Sequence, residues 1–140
     1  MKKTIAFLAV ALLAAPALAD GDAAKGEKVF KKCQSCHTVI DPDGNKLAGR
    51  GAKTGPNLYG VAGRVAGSVE GFRYSDSMKA LGEKGVVWDE EHFIAFVQDP
   101  SKYLKEQLGD SKARSKMTFK LRKEEDARNV YAYLSQFGAE

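Results

Sequence analysis

Residues 33–37 read Cys-Gln-Ser-Cys-His, and this short motif constrains the chain more than any other feature. Both cysteines of the 140-residue sequence lie within it, three residues apart, and a histidine directly follows the second. A disulfide between them would close almost no loop and would stabilise the fold little. A structural zinc ion takes four ligands, whereas outside the motif the sequence offers no cysteine and one histidine, His92. The motif therefore indicates a chemistry other than cross-linking or zinc binding.

Covalent haem attachment accounts for every residue type in this motif. One helical turn places Cys33 and Cys36 on the same side, so both thiols can bond to the two vinyl groups along one haem edge. His37 can then serve as a ligand of the iron, and the five-residue pattern is a known attachment signal for c-type haem. The main alternative is a haem-free, redox-active dithiol, which is typical of a βαβ context.

The first 19 residues predict a secretory signal peptide. Lys2 and Lys3 precede an apolar run over residues 5–15, and the small-residue triplet 17–19 matches a cleavage site. The run is too short to span a bilayer, which needs about 20 apolar residues. We therefore expect cleavage after Ala19, export to the periplasm, and a single mature domain over residues 20–140.

The charge of the mature chain gives no reason to expect nucleic-acid binding. The full sequence has 22 basic and 18 acidic residues, a net charge of +4, and loss of Lys2 and Lys3 leaves 20 and 18, a net charge of +2. Any electrostatic recognition must therefore depend on where the charges lie rather than on their total.

Apolar spacing predicts an all-α domain of about five helices, over residues 22–33, 75–81, 89–97, 101–108 and 123–137. Asp22 and Asp89 are suited to cap two of these helices, and Pro100 is expected to end the third. Residues 38–71 contain eight of the 14 glycines and show no sustained period. A loop of this length is unusual in a small domain unless it is functional, so we expect it to wrap around a cofactor that supplies the missing core.

The second axial ligand of the iron has three candidates in the sequence. Met117 follows a polar loop over residues 109–116 and lies on an extended stretch that could direct a thioether to the iron. Met78 lies in a short helix, where packing is the expected role, and His92 is expected to be a solvated residue at a helix start. Met117 is favoured. If it were not bound, the protein would be an open-site haem enzyme or a gas-binding protein.

Further motifs follow the order found in one protein family: Gly26, Phe30, residues 33–37, 54–58, 63–64 and 71–75, Trp88, residues 116–119 and 133–134. The sequence resembles the class I cytochromes c over essentially all of the mature chain, in particular the bacterial cytochrome c2 subgroup. It departs from the mitochondrial members by a longer segment over residues 104–115. Met78 and Phe96 stand where those members usually have asparagine and tyrosine.

The resemblance implies a small fold of helices and long loops around one haem c, bound covalently through Cys33 and Cys36. His37 and Met117 would be the axial ligands, and the Pro56 carbonyl would accept the ring proton of His37. Three further residues would bond or neutralise a buried haem propionate, namely Arg64, Tyr74 and Trp88.

The resemblance also implies a soluble one-electron carrier rather than an enzyme, because two axial ligands leave the iron no vacancy. Its donor would be a membrane quinol–cytochrome c oxidoreductase. Its acceptor would be a photosynthetic reaction centre, a terminal oxidase or a denitrification enzyme, and the carrier would be a monomer. Partners would dock at the exposed haem edge through lysines that we call the docking lysines: Lys28, Lys31, Lys32, Lys53, Lys116 and Lys120. Acidic residues are expected away from that edge, among them Glu90, Glu91, Glu124 and Glu125.

Overall fold

The computed structural model describes residues 21–138, so the predicted signal peptide over residues 1–19 lies outside the described part of the chain. Within it lie the helices α1 (Ala23–Phe30), α2 (Asp76–Glu83), α3 (Glu90–Gln98), α4 (Pro100–Leu108) and α5 (Glu124–Leu134). Two short antiparallel strands, β1 (Thr38–Ile40) and β2 (Lys46–Gly49), form a hairpin. None of the helices described here is long and apolar enough to cross a membrane. The predicted all-α class is confirmed, and the hairpin was not predicted.

Side-chain caps set the starts of most of these helices. The Asp22 carboxylate accepts the Lys25 amide at 3.0 Å, and the Asp89 carboxylate accepts the His92 amide at 2.8 Å, as their positions predict. Each bond satisfies an amide that has no partner within its own helix. Pro100 was predicted only to end the third helix, but it is also the first residue of α4. Proline suits that position because its missing N–H would have no helical acceptor there.

The first and last helices cross at Gly26. A Cβ atom at this position would lie 1.9 Å from the Asn129 carbonyl oxygen and 2.8 Å from Tyr133 Cβ, so only glycine fits. Beside the crossing, the Phe30 and Tyr133 rings pack with their centroids 5.5 Å apart. The Asn129 side chain, itself buried, accepts the Asp22 amide at 2.8 Å. The helices are therefore fixed against each other by shape and by a hydrogen bond.

The hairpin occupies part of the glycine-rich segment in which no periodicity was visible. Thr38 pairs with Gly49 and Ile40 with Lys46, and an irregularity next to Val39 leaves Leu47 as an extra, largely exposed residue. Strands of three and four residues are too short to show a two-residue period, which explains why the sequence did not reveal them. Val39 is fully buried, and it joins the hairpin to the hydrophobic core.

We expect Gly26→Ala to destabilise the folded holoprotein by about 2 kcal/mol or more, because α1 and α5 must separate to admit a methyl group. The free energy of unfolding is measured by denaturant titration, followed by far-ultraviolet circular dichroism. Lys25→Ala, at an exposed position of the same helix, is the control and should change the stability by no more than about 0.5 kcal/mol. Equal unfolding midpoints for the two variants would contradict the assigned crossing.

Candidate functional site

A cavity of about 290 Å³ lies between the helices and the long loops. Its wall contains every residue predicted to contact the cofactor: Cys33, Cys36, His37, Pro56, Arg64, Tyr74, Trp88 and Met117. Most of the remaining wall is apolar and comes from widely separated parts of the sequence, including Leu58, Val61, Phe93, Val97, Val130 and Leu134. Residues distant in sequence thus meet around one apolar space, as a wrapped cofactor requires.

The attachment motif enters the wall directly after α1. The Cys36 and His37 amides both donate to the Cys33 carbonyl, at 3.1 and 2.9 Å, so the chain stays in turns and presents both cysteines to the cavity. Burial raises the pKa of the Cys33 thiol to about 11, nearby Cys36 adds to the rise, and Lys32 opposes it. A dithiol oxidoreductase needs an attacking cysteine with a lowered pKa. The environment of Cys33 therefore disfavours the dithiol alternative.

His37 is held by the segment that follows the hairpin. Its Nδ1 lies 2.9 Å from the Pro56 carbonyl oxygen, so the predicted hydrogen bond is present. A carbonyl can only accept, and this places the ring proton on Nδ1 and leaves the Nε2 lone pair free for a metal. Burial lowers the pKa of His37, the bond to Pro56 opposes this, and Arg64 lowers it further. The net effect favours the neutral imidazole that a metal ion requires.

Gly55 fixes the position of that ring, a role that sequence reasoning did not assign. A Cβ atom at residue 55 would lie 2.3 Å from Cε1 and 2.7 Å from Nε2 of His37. The Gly55 amide also donates to the Cys36 carbonyl at 2.7 Å. The missing side chain therefore makes room for the imidazole, and the amide ties the loop to the attachment motif.

The three candidate second ligands occupy different surroundings. Met117 is half-buried and lines the cavity, and its amide donates to Ser115 Oγ at 3.0 Å. Met78 also lines the cavity, from α2, and belongs to the hydrophobic core. His92 lies outside the wall, and its Nδ1 is 2.6 Å from the Tyr103 hydroxyl. His92 stands near the start of α3 as predicted and is partly exposed, but α4 brings the buried Tyr103 against it, so it is not simply solvated.

Arg64 presents an unpaired cationic donor in the buried wall of the cavity. One terminal nitrogen donates to the Tyr59 and Asn57 carbonyls, at 2.8 and 3.1 Å. Its Nε is buried and has no hydrogen-bond partner within residues 21–138. Burial lowers the pKa of Arg64 and raises the pKa of Tyr74, which also lines the cavity. Because an unpaired buried donor is costly, these residues fit a cofactor that brings an anionic group, as a haem propionate would.

All six docking lysines are exposed, but their side chains are not equally free. Lys32 and Lys116 line the cavity mouth. Lys116 Nζ donates to the Arg73 carbonyl at 2.9 Å, and Lys120 Nζ pairs with the Asp99 carboxylate at 3.0 Å. Lys28, Lys31 and Lys53 also lie on the surface.

Acidic residues gather in a separate depression between α3 and α5. Glu90, Glu91 and Glu124 line it together with Arg128. Arg128 forms ion pairs with Glu90 at 3.3 Å and with Glu124 at 2.6 Å. None of these four residues, nor Glu125, contributes to the cavity wall. That the acidic groups lie away from the cofactor edge stays a prediction.

Several aromatic residues of the wall had no role assigned from the sequence, among them Phe119 and Phe72. Phe119 lies two residues beyond Met117 and is 40% exposed, which is high for so large an apolar side chain. Phe72 packs edge-on against Tyr74, with the ring centroids 4.8 Å apart. Both lie within the motifs that carry the family resemblance. The position of Phe119, an aromatic residue two places after the predicted ligand Met117, was the signal that could have identified it as a residue of the cavity wall.

Comparison with known proteins places this geometry in a family. The family model for cytochrome c matches residues 23–137. Cytochrome c2 from Rhodovulum adriaticum is 61% identical over 118 residues, which cover 84% of this chain and 94% of that protein. Cytochrome c2 from Cereibacter sphaeroides is 58% identical over 134 residues, covering 94% of this chain and 92% of that protein. The crystal structure of cytochrome c2 from Rhodobacter sphaeroides superposes with a TM-score of 0.84 at 56% identity, covering 86% of this chain and 99% of that one.

These matches span all five helices, the hairpin and every residue of the cavity wall. Cytochromes c carry covalently bound haem c, and two cysteines with the required spacing lie in the wall of this cavity. They transfer electrons between redox partners and are not enzymes. On its sequence, its fold and its attachment motif, the chain belongs to the cytochrome c family.

Proposed function

We propose that this chain is a soluble, diffusible one-electron carrier whose haem iron is bound by His37 and Met117. The observation that carries the proposal is that both side chains line the same cavity as the two attachment cysteines. The hydrogen bond from His37 to the Pro56 carbonyl supports its role as a ligand, because it leaves the other ring nitrogen free. Met117 reaches the wall from an irregular segment at the other end of the chain, so the two residues can approach the cofactor independently.

The bound haem supplies one-electron exchange between Fe(III) and Fe(II), and a methionine ligand favours the reduced form. The residues of this chain determine the setting of that exchange. With haem bound, His37 would offer a neutral nitrogen and Met117 a soft thioether, so that no position would remain for oxygen, peroxide or a substrate. The apolar wall excludes water, so that little solvent has to reorganise when the charge changes.

Arg64, Tyr74 and Trp88 are the residues that would bond or neutralise a haem propionate. The buried and unpaired Nε of Arg64 supports this assignment most directly, because an anionic oxygen would satisfy it. The Tyr74 hydroxyl, which accepts the Val69 amide at 3.0 Å, still has its own proton to donate. Trp88 lines the same cavity and is almost fully buried.

The carrier would work in the periplasm after export and cleavage of the first 19 residues. The basic start, the apolar run and the small-residue triplet at residues 17–19 support export. Its donor would be a membrane quinol–cytochrome c oxidoreductase. Its acceptor would be a photosynthetic reaction centre, a terminal oxidase or a denitrification enzyme.

Docking would use the six docking lysines, of which Lys32 and Lys116 line the cavity. Lys32 lies on the wall next to Cys33, and Lys28, Lys31 and Lys53 are exposed. The side chains of Lys116 and Lys120 are less free to contact a partner, because each already binds another residue of this chain, Arg73 and Asp99 respectively. The separate acidic depression between α3 and α5 would give the molecule an electrostatic asymmetry that orients it toward an acidic partner.

The attachment motif yields a first prediction. Cys33→Ala should leave one thioether bond, and the double variant Cys33→Ala with Cys36→Ala should leave none, because the sequence has no other cysteine. Haem-stained denaturing gels and intact mass report the covalent bonds, and Ser35→Ala should keep both. The double variant should also lose its compact fold, since the cofactor fills the cavity. Native-like helicity in a haem-free double variant would contradict this.

The ligand assignment yields a second prediction. Met117→Leu should abolish the weak far-red band of methionine-ligated ferric haem, lower the reduction potential, and allow imidazole to bind. Met78→Leu conserves the volume of a packing residue and should do none of these. His92→Ala should also leave the spectrum unchanged, since His92 lies outside the cavity wall. Loss of the low-spin spectrum in His92→Ala would show that the ligand assignment is wrong.

The docking surface yields a third prediction. Electron transfer with an acidic partner should slow as ionic strength rises, because screening acts over about 8 Å at physiological salt. Lys32→Glu should slow the second-order rate at low salt by much more than Lys84→Glu, an exposed residue outside the cavity wall. Stopped-flow rates against ionic strength provide the measurement. A flat salt dependence, or equal slowing by both variants, would rule out this docking surface.

A further inference from the structure

The segment that delivers Met117 is fixed by serine hydroxyls rather than by regular secondary structure. Residues 113–123 belong to no helix or strand. The Arg114 amide donates to Ser77 Oγ at 3.1 Å, and the Ser115 amide donates to Ser101 Oγ at 3.1 Å. Ser77 and Ser101 belong to α2 and α4. The segment is therefore attached to two helices by single hydroxyl groups just before the proposed ligand.

The hydroxyl contacts continue as far as the ligand itself. Ser115, held by Ser101, uses its own Oγ to accept the Met117 amide at 3.0 Å. Ser101 therefore acts on Met117 through one intermediate residue. Ala113, the first residue of this segment, is 2% exposed and packs in the core, which limits how far the segment can move as a whole.

The start of α4 holds the chain on both sides of Met117. Ser101 binds the segment before the methionine, and the Asp99 carboxylate pairs with Lys120, three residues after it, at 3.0 Å. Between these two residues, Pro100 is almost fully buried and fixes the first turn of the helix. A rigid helix start thus provides two anchor points for an otherwise irregular segment.

Anchoring through the backbone matters here because the Met117 thioether accepts no hydrogen bond within residues 21–138. Phe96 and Met78, which also line the cavity, carry no group that could donate a hydrogen bond to the thioether. The stability of a bond between Met117 and iron then depends on the equilibrium between a closed form, in which residues 114–117 lie against the cavity, and an open form, in which they have moved away from it. A hydrogen bond that is formed only in the closed segment shifts that equilibrium toward the closed form.

We propose that Ser101 and Ser77 are positioning residues that keep residues 114–117 closed and thereby determine how firmly Met117 is retained by the iron. This inference rests on the proposed ligation by Met117. Removal of either hydroxyl leaves a backbone amide without its acceptor, opens the segment more often, and exposes the iron to competing ligands. The contact through Ser101 is partly shielded from water and that through Ser77 is exposed, so Ser101 has the larger effect.

The test uses the ferric holoprotein and imidazole as the competing ligand. Because the apparent affinity for imidazole scales with the open fraction, Ser101→Ala should raise it about tenfold and Ser77→Ala about threefold. Ser101→Thr keeps the hydroxyl and should restore an affinity near that of the wild type. Ser111→Ala is the matched control, because this exposed serine of the same loop makes no hydrogen bond through its side chain within the described residues.

Two further measurements separate positioning from general destabilisation. Amide hydrogen exchange at Ser115 and Met117 should accelerate in Ser101→Ala, while exchange in α1 and α5 stays unchanged. The far-red methionine band should remain in native buffer but disappear at a lower denaturant concentration than in the wild type. If Ser101→Ala cannot be isolated in a folded form, Ser77→Ala becomes the deciding variant. Its imidazole affinity and the exchange rate of its Arg114 amide then provide the test.

The outcomes distinguish this inference from the proposed function. A wild-type protein with the methionine band, together with unchanged imidazole affinity in Ser101→Ala and Ser77→Ala, would overturn the inference and leave the ligand assignment intact. An equal increase in Ser111→Ala would also overturn it. A wild-type protein without the band that binds imidazole as tightly as Met117→Leu would overturn the ligand assignment and, with it, the inference.

Discussion

The close crossing of α1 and α5 at Gly26 is the constraint on which the site depends. α1 ends at Phe30, three residues before Cys33, so the position of that helix determines where the attachment motif enters the cavity. α5 supplies Val130 and Leu134 to the same wall. Because the backbones approach too closely for any side chain at residue 26, a small separation would move the cysteines away from the wall that they share with α5.

The two proposed ligands are held by different kinds of bond. On the histidine side, the Gly55 amide binds the Cys36 carbonyl and the Pro56 carbonyl binds His37, so loop and motif are joined through backbone groups. On the methionine side, the chain is held mainly by side chains, among them the hydroxyls of Ser77 and Ser101 and the ion pair between Lys120 and Asp99. One backbone bond, from the Leu121 amide to the Val97 carbonyl, follows the methionine. Backbone contacts within a packed region open rarely, whereas exposed side-chain contacts open more readily. The methionine side is therefore the one at which the iron would become accessible.

The cavity also shows how a small domain can incorporate a cofactor into its core. Large apolar side chains such as Phe93, Val97 and Leu134 are buried at its wall. Arg64, in the same wall, has a buried nitrogen without a partner among the described residues. An apolar wall and an unpaired cationic donor would both be unfavourable in an empty cavity. Both are stabilised if the cavity receives one group that is apolar over its face and anionic at one edge. Covalent attachment at Cys33 and Cys36 ensures that this group is always present.

The sequence by itself determined the attachment chemistry, the helical class and most helix starts, because these depend on local spacing: two cysteines three apart, apolar residues at helical intervals, and capping residues such as Asp22 and Asp89. The family resemblance added the bond between His37 and Pro56. Only the tertiary structure showed the short hairpin, the hydrogen bond between His92 and Tyr103, the room that Gly55 leaves for the His37 ring, and the hydroxyls that hold the segment before Met117. These features join residues that are distant along the chain, such as Ser77 and Arg114. Local sequence cannot reveal them, because the packing of whole helices decides which residues meet.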